Sequence, residues 1–115
     1  MLGFEGRRIF LACGATDMRK SFNGLSNIVQ YSLTMEAIGD AVYVFCNRRH
    51  DFIKILEWDG DGFWLHMKHL NKGAHFRWVD NLESPALAFS QEDLCLLLDS
   101  PGMELKLKRK ELNLS

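Results

Sequence analysis

The stretch FIKILEWDGDGFWLHMKHL, residues 52–70, decides the fold of this 115-residue chain. It contains two apolar segments, 52–58 and 63–70, on either side of the sequence Asp-Gly-Asp-Gly at 59–62. Glycine tolerates the positive φ angles that tight turns require. The stretch therefore predicts a β-hairpin.

The loop of this hairpin also sets which residues face each other. Trp58 faces Phe63 whether the loop is counted as two or four residues, and Leu56 then faces Leu65. Because side chains alternate between the two faces of a strand, these four apolar residues share one face. That face is the better candidate for the core.

Other apolar segments extend the hairpin into a sheet. The β-branched and aromatic segment 41–46 predicts a strand before it, and 75–79 predicts a short strand after it, which gives an antiparallel meander of four strands. The apolar run 8–13, which ends at Gly14, predicts a buried strand that joins the same sheet.

Two helices are expected beside this sheet. Apolar residues at helical spacing predict an amphipathic helix near 17–32, with Thr16 and Asp17 at its N-terminus. Ser90 and the acidic residues after it open a second helix through Leu98, which Pro101-Gly102 ends. The predicted fold class is α+β: an antiparallel β-meander sheet packed by one amphipathic helix, with a short C-terminal helix. The expected core comprises Phe22, Leu25, Ile28, Leu56, Trp58 and Leu65.

Composition bounds the organisation and location of the chain. With 47% hydrophobic residues, residues 1–103 are long enough for a single compact domain, and 104–115 form a basic tail that we expect to be flexible or an edge strand awaiting a partner. The three cysteines are far apart and in no CxxC pair, so we expect reduced thiols buried in the core. Without a signal peptide or a long apolar run, the sequence predicts a cytoplasmic protein with no membrane partner.

Charge is close to balanced overall but unevenly distributed. The formal net charge of −1 gives no global attraction to nucleic acid. Residues 46–78 nevertheless carry a net charge of +2 and all four histidines, whereas 79–105 carry −6. This asymmetry favours either a local polyanion-binding face or an ordinary solvated surface.

The junction GATDMRKS, residues 14–21, resembles a phosphate-binding loop between a strand and a helix. Arg19 replaces the glycine that lets the backbone approach a phosphate, and Asp17 would repel the anion. The rest of the chain also lacks the alternating βαβ pattern of nucleotide-binding folds. A degenerate nucleotide-binding module is the least favoured function. Arg19 and Lys20 at a helix start oppose the helix dipole, so either a bound phosphate or simple tolerance of surface charge explains them.

No catalytic or metal site is indicated. The strand-borne His66 and His69 are three residues apart, so their side chains leave opposite faces and cannot converge on one ion. No nucleophile, base and acid pattern stands out. We therefore expect a non-enzymatic protein without a cofactor or metal.

A basic and aromatic cluster between residues 47 and 78 is the strongest candidate site. Arg48 and Arg49 fall in the turn after the strand 41–46, and Lys68 and His69 fall at the end of the hairpin, which a meander brings to the same end of the sheet. Phosphate contacts from such residues, with aromatic rings for stacking, are typical of nucleic-acid binding.

Several of these strings together resemble one protein family. LACGATDMRKSFNGL at 11–25, VFCNRR at 44–49, KILEWDGDGF at 54–63 and KHL at 68–70 are similar to the TnpB accessory proteins of the bacterial insertion-sequence family sixty-six, the products of that element's second reading frame. The resemblance covers about residues 9–98 in the correct order. It implies a role in transposition beside a larger, separate transposase that cuts the DNA.

Residues and resemblance together predict a non-catalytic accessory protein of transposition. Its expected partners are the cognate transposase and the terminal DNA of the insertion sequence, with the oligomeric state left open. The alternative is an adaptor that binds the transposase through the acidic second helix or the tail, without touching DNA. The predicted nucleic-acid-binding residues are Arg19, Lys20, Arg48, Arg49, Lys54, Lys68 and His69.

Overall fold

The computed structural model describes residues 3–80 and 83–99. In chain order its elements are β1 (Arg8–Ala12), α1 (Phe22–Asn27) with a π-helical continuation (Ile28–Ser32), β2 (Ala41–Cys46), β3 (Phe52–Trp58), β4 (Phe63–His69), β5 (Ala86–Phe89) and α2 (Gln91–Asp99). The strands form one sheet in the order β4-β3-β2-β1-β5. The α+β class with a mainly antiparallel sheet is confirmed. The boundary at 103, the tail 104–115 and the end of α2 at Pro101-Gly102 lie outside the described residues.

The hairpin has the predicted register. Trp58 faces Phe63 and Leu56 faces Leu65 across β3 and β4, and β2 pairs antiparallel with β3. The fourth strand of the predicted meander is not formed, because the segment 75–79 has only one bridge residue, His75. The side chain of Phe76 instead enters the core, where it is 2% exposed. The apolar residues Phe76 and Trp78 alternate as in a strand. In the structure Phe76 packs into the core from a segment that does not pair with the sheet along its length.

β1 occupies a position that the sequence pattern did not specify. It pairs parallel with β2 and antiparallel with β5, so that the sheet is mixed. β1, α1 and β2 consequently form one βαβ unit. β5 was not predicted, since four residues of sequence ALAF are too short to show a periodicity.

α1 begins five residues later than predicted, at Phe22 rather than Asp17. The carboxylate of Asp17 accepts the backbone N–H of Arg19 at 2.9 Å, and the Lys20 N–H donates to the Asp17 carbonyl oxygen at 3.2 Å. Asp17 therefore stabilises a separate turn rather than the first turn of the helix. At the other end, the Leu33 N–H donates to the Ile28 carbonyl oxygen five residues earlier, which makes the last turn a π-helical one.

α2 begins where its sequence predicts. The Asp93 N–H donates to Ser90 Oγ at 3.0 Å, and the Ser90 N–H donates back to Asp93 Oδ2 at 3.4 Å. Both side chains thus satisfy backbone donors that the helix leaves unpaired.

The sheet is buried on both faces, and this corrects the expectation of a single core. One face packs under α1 and includes Leu25 and Leu56, with Ile28 and Leu65 half-buried at its margin. The other face packs under α2. Of the remaining expected core residues, Trp58 is half-buried and Phe22 is 41% exposed. The second core includes Ile9, Leu11, Val42, Val44, Ile53, Ile55, Phe76 and Leu94.

The cysteines differ in burial. Only Cys46 is fully buried, and this burial raises the pKa of its thiol to about 12. Cys13 and Cys95 are half-buried, so the expectation that all three lie in the core holds for one of them. Among residues 3–80 and 83–99, no helix is long and apolar enough to cross a membrane.

Candidate nucleic-acid interface

An open groove of about 950 Å³ lies at the end of the sheet where β2 leads into β3. Four parts of the chain form it: the loop after β1, the turn between β2 and β3, the first residue of β3 and the last residue of β4. Its lining residues are Ala15, Thr16, Asp17, Met18, Arg19, Asn47, Arg48, Arg49, Asp51, Phe52 and His69. Four of the seven predicted nucleic-acid-binding residues therefore share one groove, namely Arg19, Arg48, Arg49 and His69.

The side chain of Asn47 builds the turn that carries two of these arginines. Its Oδ1 accepts the backbone N–H groups of Asp51 at 3.0 Å and Phe52 at 3.1 Å, and its Nδ2 donates to the Asp51 carboxylate at 2.7 Å. His50 takes a positive φ of 62°, and its carbonyl oxygen accepts the Phe76 N–H at 2.6 Å. Because so many bonds hold the backbone, the turn presents Arg48 and Arg49 from a fixed position.

Arg48 and Arg49 are the exposed cations of the groove. Within residues 3–80 and 83–99, neither guanidinium lies within ion-pair distance of a carboxylate. The nearby Asp51 is held by Asn47 instead. Both arginines are therefore available to an external anion.

Hydrogen bonds to two other segments fix the loop after β1. The Thr16 N–H donates to the Cys46 carbonyl oxygen at the end of β2 at 2.8 Å. Gly14, with a φ of +83°, donates its N–H to Val79 at 3.0 Å and accepts the Trp78 indole N–H at 2.9 Å. These bonds place the residues that follow Gly14 beside the arginine turn.

Asp17 and Arg19 pair with each other within this loop. The Arg19 guanidinium donates Nη2–H to Asp17 Oδ2 at 2.7 Å and Nε–H to Oδ1 at 3.0 Å. The Arg19 hydrogen bonds hold the pKa of Asp17 well below its usual range, and the carboxylate in turn raises the pKa of Arg19. Because Arg19 precedes the helix, the expected conflict with the helix dipole does not arise. The Arg19 N–H is also bonded to Asp17, which disfavours a phosphate-binding loop here.

Phe52 and His69 form a ring pair beside the arginines. They face each other across β3 and β4, and their rings stack with centroids 4.6 Å apart and planes 9° apart. His69 is exposed and Phe52 is half-buried. The groove thus has a flat ring surface next to its exposed cations.

Lys54 and Lys20 meet under the groove rather than within it. Lys54 is 7% exposed, and its ammonium group donates to the Lys20 carbonyl oxygen at 2.8 Å. This bond ties the segment before α1 to the sheet. Lys54 therefore has a structural position, and we leave it out of the binding surface. Lys20 is exposed but does not line the groove.

Lys68 lies on the opposite face of the sheet from His69. Its ammonium group donates to the Leu98 carbonyl oxygen near the end of α2 at 2.7 Å. A cation at this position also complements the negative end of the helix dipole. Lys68 is thus separated from the groove by the sheet itself.

Asn47 and Phe52 are the site residues that sequence reasoning missed. In the sequence Asn47 falls at the start of the predicted turn, and the signal for its role is that Asn at such a position commonly bonds its own backbone a few residues on. Phe52 was assigned to a strand, and only the register of the hairpin, which puts it opposite His69, brings it to the groove.

The side chains of Glu57, His66 and His69 do not converge on a metal site. Glu57 accepts from Arg7 at 3.0 Å and lies 2.8 Å from His66 Nε2. His66 and His69 occupy opposite faces of β4, as the sequence predicts. Within the described parts of the chain, no three His, Cys, Asp or Glu side chains come close enough to hold a metal ion.

The model of the family described as IS66 Orf2 like protein matches residues 7–110, nearly the whole chain. The chain belongs to this family, which consists of accessory transposition proteins not known to be catalytic. The family resemblance expected from the sequence is confirmed.

Two curated relatives come from Sinorhizobium fredii (strain NBRC 101917 / NGR234). The uncharacterized protein y4hO is 35% identical over 91 residues, which cover 79% of this chain and 77% of the relative. The uncharacterized protein y4jC is 31% identical over 107 residues, which cover 92% and 88%. No solved structure matches the chain.

Proposed function

We propose that this accessory protein contacts DNA through the groove at the end of the sheet, beside a transposase that carries out the cutting chemistry. The observation that carries the proposal is the pair of exposed arginines, Arg48 and Arg49, which no described carboxylate neutralises and which Asn47 holds on a fixed turn. Cations held in this way suit the phosphate backbone, which provides most of the affinity in sequence-independent binding.

The two carboxylates of the groove define where a phosphate would lie. The Asp17 carboxylate forms an ion pair with Arg19, and the Asp51 carboxylate accepts a hydrogen bond from the Asn47 side chain. They still repel an anion from their own part of the groove. The phosphates consequently follow the rim along Arg48 and Arg49. The stacked rings of Phe52 and His69 offer an adjacent flat surface for a base or sugar.

The test measures DNA affinity as a function of salt for the full chain and its variants. Replacing Arg48 and Arg49 with alanine should weaken binding across sequences and reduce the salt slope by about two, since each lost phosphate contact removes about one unit. Circular dichroism should show unchanged folding, because exposed turn charges contribute little to stability.

Arg8→Ala is the matched control for single arginine variants. Arg8 is also exposed, but it faces Ala41 at the opposite end of β2 and pairs with Asp40. Arg8→Ala removes the same charge as Arg48→Ala at a distance from the groove. The slope of DNA affinity against salt should therefore stay unchanged in Arg8→Ala. Equal losses for Arg8→Ala and Arg48→Ala would mean that net charge, rather than the groove, governs binding.

An adaptor that binds only the transposase is the second candidate. One observation favours it: Leu96 on α2 is 60% exposed beside the acidic residues of the helix. Binding to the transposase that is insensitive to the arginine changes, together with no salt-dependent DNA binding alone or in the complex, would establish the adaptor and contradict the DNA proposal.

A further inference from the structure

β4 forms one edge of the sheet, and its outward backbone groups can be assigned from the ladder. The Asp59 N–H donates to the Gly62 carbonyl oxygen at 3.0 Å, and the Leu70 N–H donates to the Asp51 carbonyl oxygen at 2.8 Å. Because bonded residues alternate along an antiparallel pair, the even-numbered residues of β4 bond to β3. The N–H and C=O groups of the odd-numbered residues therefore point away from the sheet. These residues are Phe63, Leu65, Met67 and His69.

No backbone or side-chain group in the described parts of the chain bonds these outward groups. The side chains of the same strand are also exposed, with Trp64 at 57% and Met67 at 63%. A seven-residue edge with large exposed side chains is a template for another strand. The opposite edge, β5, has four residues and offers a shorter one.

We propose that two copies of this chain associate through β4, in antiparallel pairing about a two-fold axis at His66. A two-fold axis perpendicular to the sheet pairs each residue with one on the same face, so only residues of equal parity can face each other. His66 is the centre of Phe63–His69. Pairing about it is the one register that overlaps the whole strand without an overhang.

This register satisfies every outward group of the edge. Phe63 faces the partner's His69, and Leu65 faces the partner's Met67, each as a hydrogen-bonded pair. Four outward residues in each copy then donate and accept in full. In this register the outward, odd-numbered residues of one copy face the outward, odd-numbered residues of the other. The edge is therefore complementary to itself.

The side chains that face each other are also compatible. Leu65 and the partner's Met67 are both apolar and cover each other on the α1 face. On the α2 face, Lys68 comes opposite the partner's Trp64, so the exposed indole can cover the aliphatic stem of Lys68 while the ammonium group stays bonded to the Leu98 carbonyl oxygen. No lysine faces a lysine in this register, which is the like-charge contact that a shifted pairing would risk. These pairs identify a second copy as the occupant of the edge.

The first test measures the mass of the full chain in solution by sedimentation over a range of concentrations. A dimer of twice 13.3 kDa is expected. Met67→Pro removes an outward N–H that β3 does not use, and should raise the dimer dissociation constant about tenfold or more, because the symmetry applies the loss twice. Met67→Leu keeps the N–H and the apolar contact and should remain dimeric.

The second test reads the register and does not depend on the proline variant folding. Cysteine at position 66 faces its own copy across the axis at about 4.5 Å between Cα atoms, within disulfide range. His66→Cys should thus form a cross-linked dimer on mild oxidation. In Lys68→Cys the two cysteines are about 14 Å apart, and no cross-link above the wild-type background is expected.

Three outcomes would overturn the proposal. A wild-type chain that stays monomeric at all concentrations leaves the edge to another occupant, such as residues 104–108 of the same chain. A folded Met67→Pro variant that dimerises as tightly as Met67→Leu places the interface elsewhere. Equal cross-linking of the two cysteine variants contradicts the register.

Discussion

At the scale of single residues, partners distant in sequence decide whether a lysine or arginine bonds to other groups of the protein or stays available to an external ligand. Lys54 donates to a carbonyl oxygen 34 residues earlier, and Arg7 reaches Glu57, the Asp40 carbonyl oxygen and the Trp58 carbonyl oxygen. Such residues resemble surface charges in the sequence. Arg48 and Arg49 remain on the surface, and no carboxylate of the described residues lies within ion-pair distance of them.

The pair of Asp17 and Arg19 leads to a pH prediction. The folded-state pKa of Asp17 is lowered, mainly by its side-chain hydrogen bond to Arg19. The ionised pair therefore favours the folded state at neutral pH, and this contribution is lost only as the pH falls through the lowered folded-state pKa. Arg19→Gln should move the pKa of Asp17 upward toward its unperturbed value of about 3.9.

Carboxyl carbon NMR titration checks this prediction. In the wild type, the Asp17 signal should stay that of a carboxylate through the range where exposed aspartates titrate, whereas in Arg19→Gln it should titrate with them. The Arg19 N–H still bonds to Asp17 in the variant, so part of the lowering remains. An unchanged Asp17 titration would contradict the role of the side-chain pair.

Residue-level prediction from the sequence succeeded where the signal is local. The turn that carries Arg48 and Arg49 follows from polar residues between two apolar strands. The separation of Lys68 from His69 follows from strand alternation, although the predicted basic cluster places both residues in one patch. The burial of Lys54 could not be predicted, because it depends on which backbone carbonyl the fold brings above it.

At the scale of elements, the hairpin and α2 were predictable because their determinants are adjacent in sequence. Glycines set the turn of the first, and Ser90 with Asp93 sets the start of the second. The start of α1 was not predictable in the same way, since an Asp such as Asp17 suits both the N-cap of a helix and an isolated turn. Its bonds to Arg19 and Lys20 decide for the isolated turn.

The capping bonds of α2 give a prediction at this scale. Ser90→Ala removes the acceptor of the Asp93 N–H and should lower the free energy of unfolding by about 0.5 to 2 kcal/mol. Ser90→Thr keeps the hydroxyl group and should cost less. Urea unfolding followed by circular dichroism measures both variants, and equal losses would show that the hydroxyl bond does not stabilise the helix.

At the scale of the whole molecule, α1 and α2 cover the two faces of the sheet, and the packing under α1 was easier to predict from the sequence than the packing under α2. The α1 layer was predicted because its apolar stripe is contiguous. The α2 layer combines Phe4, Phe76 and the leucines of α2, which come from three distant segments. The sequence pattern of β2, apolar at all six positions, is consistent with burial on both faces.

A pair of neighbouring substitutions tests the two-layer arrangement. Ile55 and Leu56 are 2% and 1% exposed but point into opposite cores. Ile55→Ala and Leu56→Ala should each lower the free energy of unfolding by about 2 to 5 kcal/mol. Tyr31→Ala, at a side chain 73% exposed, should change it by less than about 0.5 kcal/mol.

Urea denaturation of the three variants supplies the comparison. If Ile55→Ala proves as mild as Tyr31→Ala, the face under α2 is not a packed core. A mild Leu56→Ala would contradict the packing under α1 in the same way.

β1 lies between two strands that both come later in the chain, and this has a consequence for folding during synthesis. One neighbour of β1, β2, follows in mid-chain, whereas the other, β5, ends at Phe89. A nascent chain can close its hairpin while still attached to the ribosome, but β1 keeps one open edge until the last strand emerges. Synthesis that stops before residue 86 therefore leaves β1 as an unpaired edge strand of the sheet β4-β3-β2-β1, and such truncated products should aggregate rather than accumulate in soluble form.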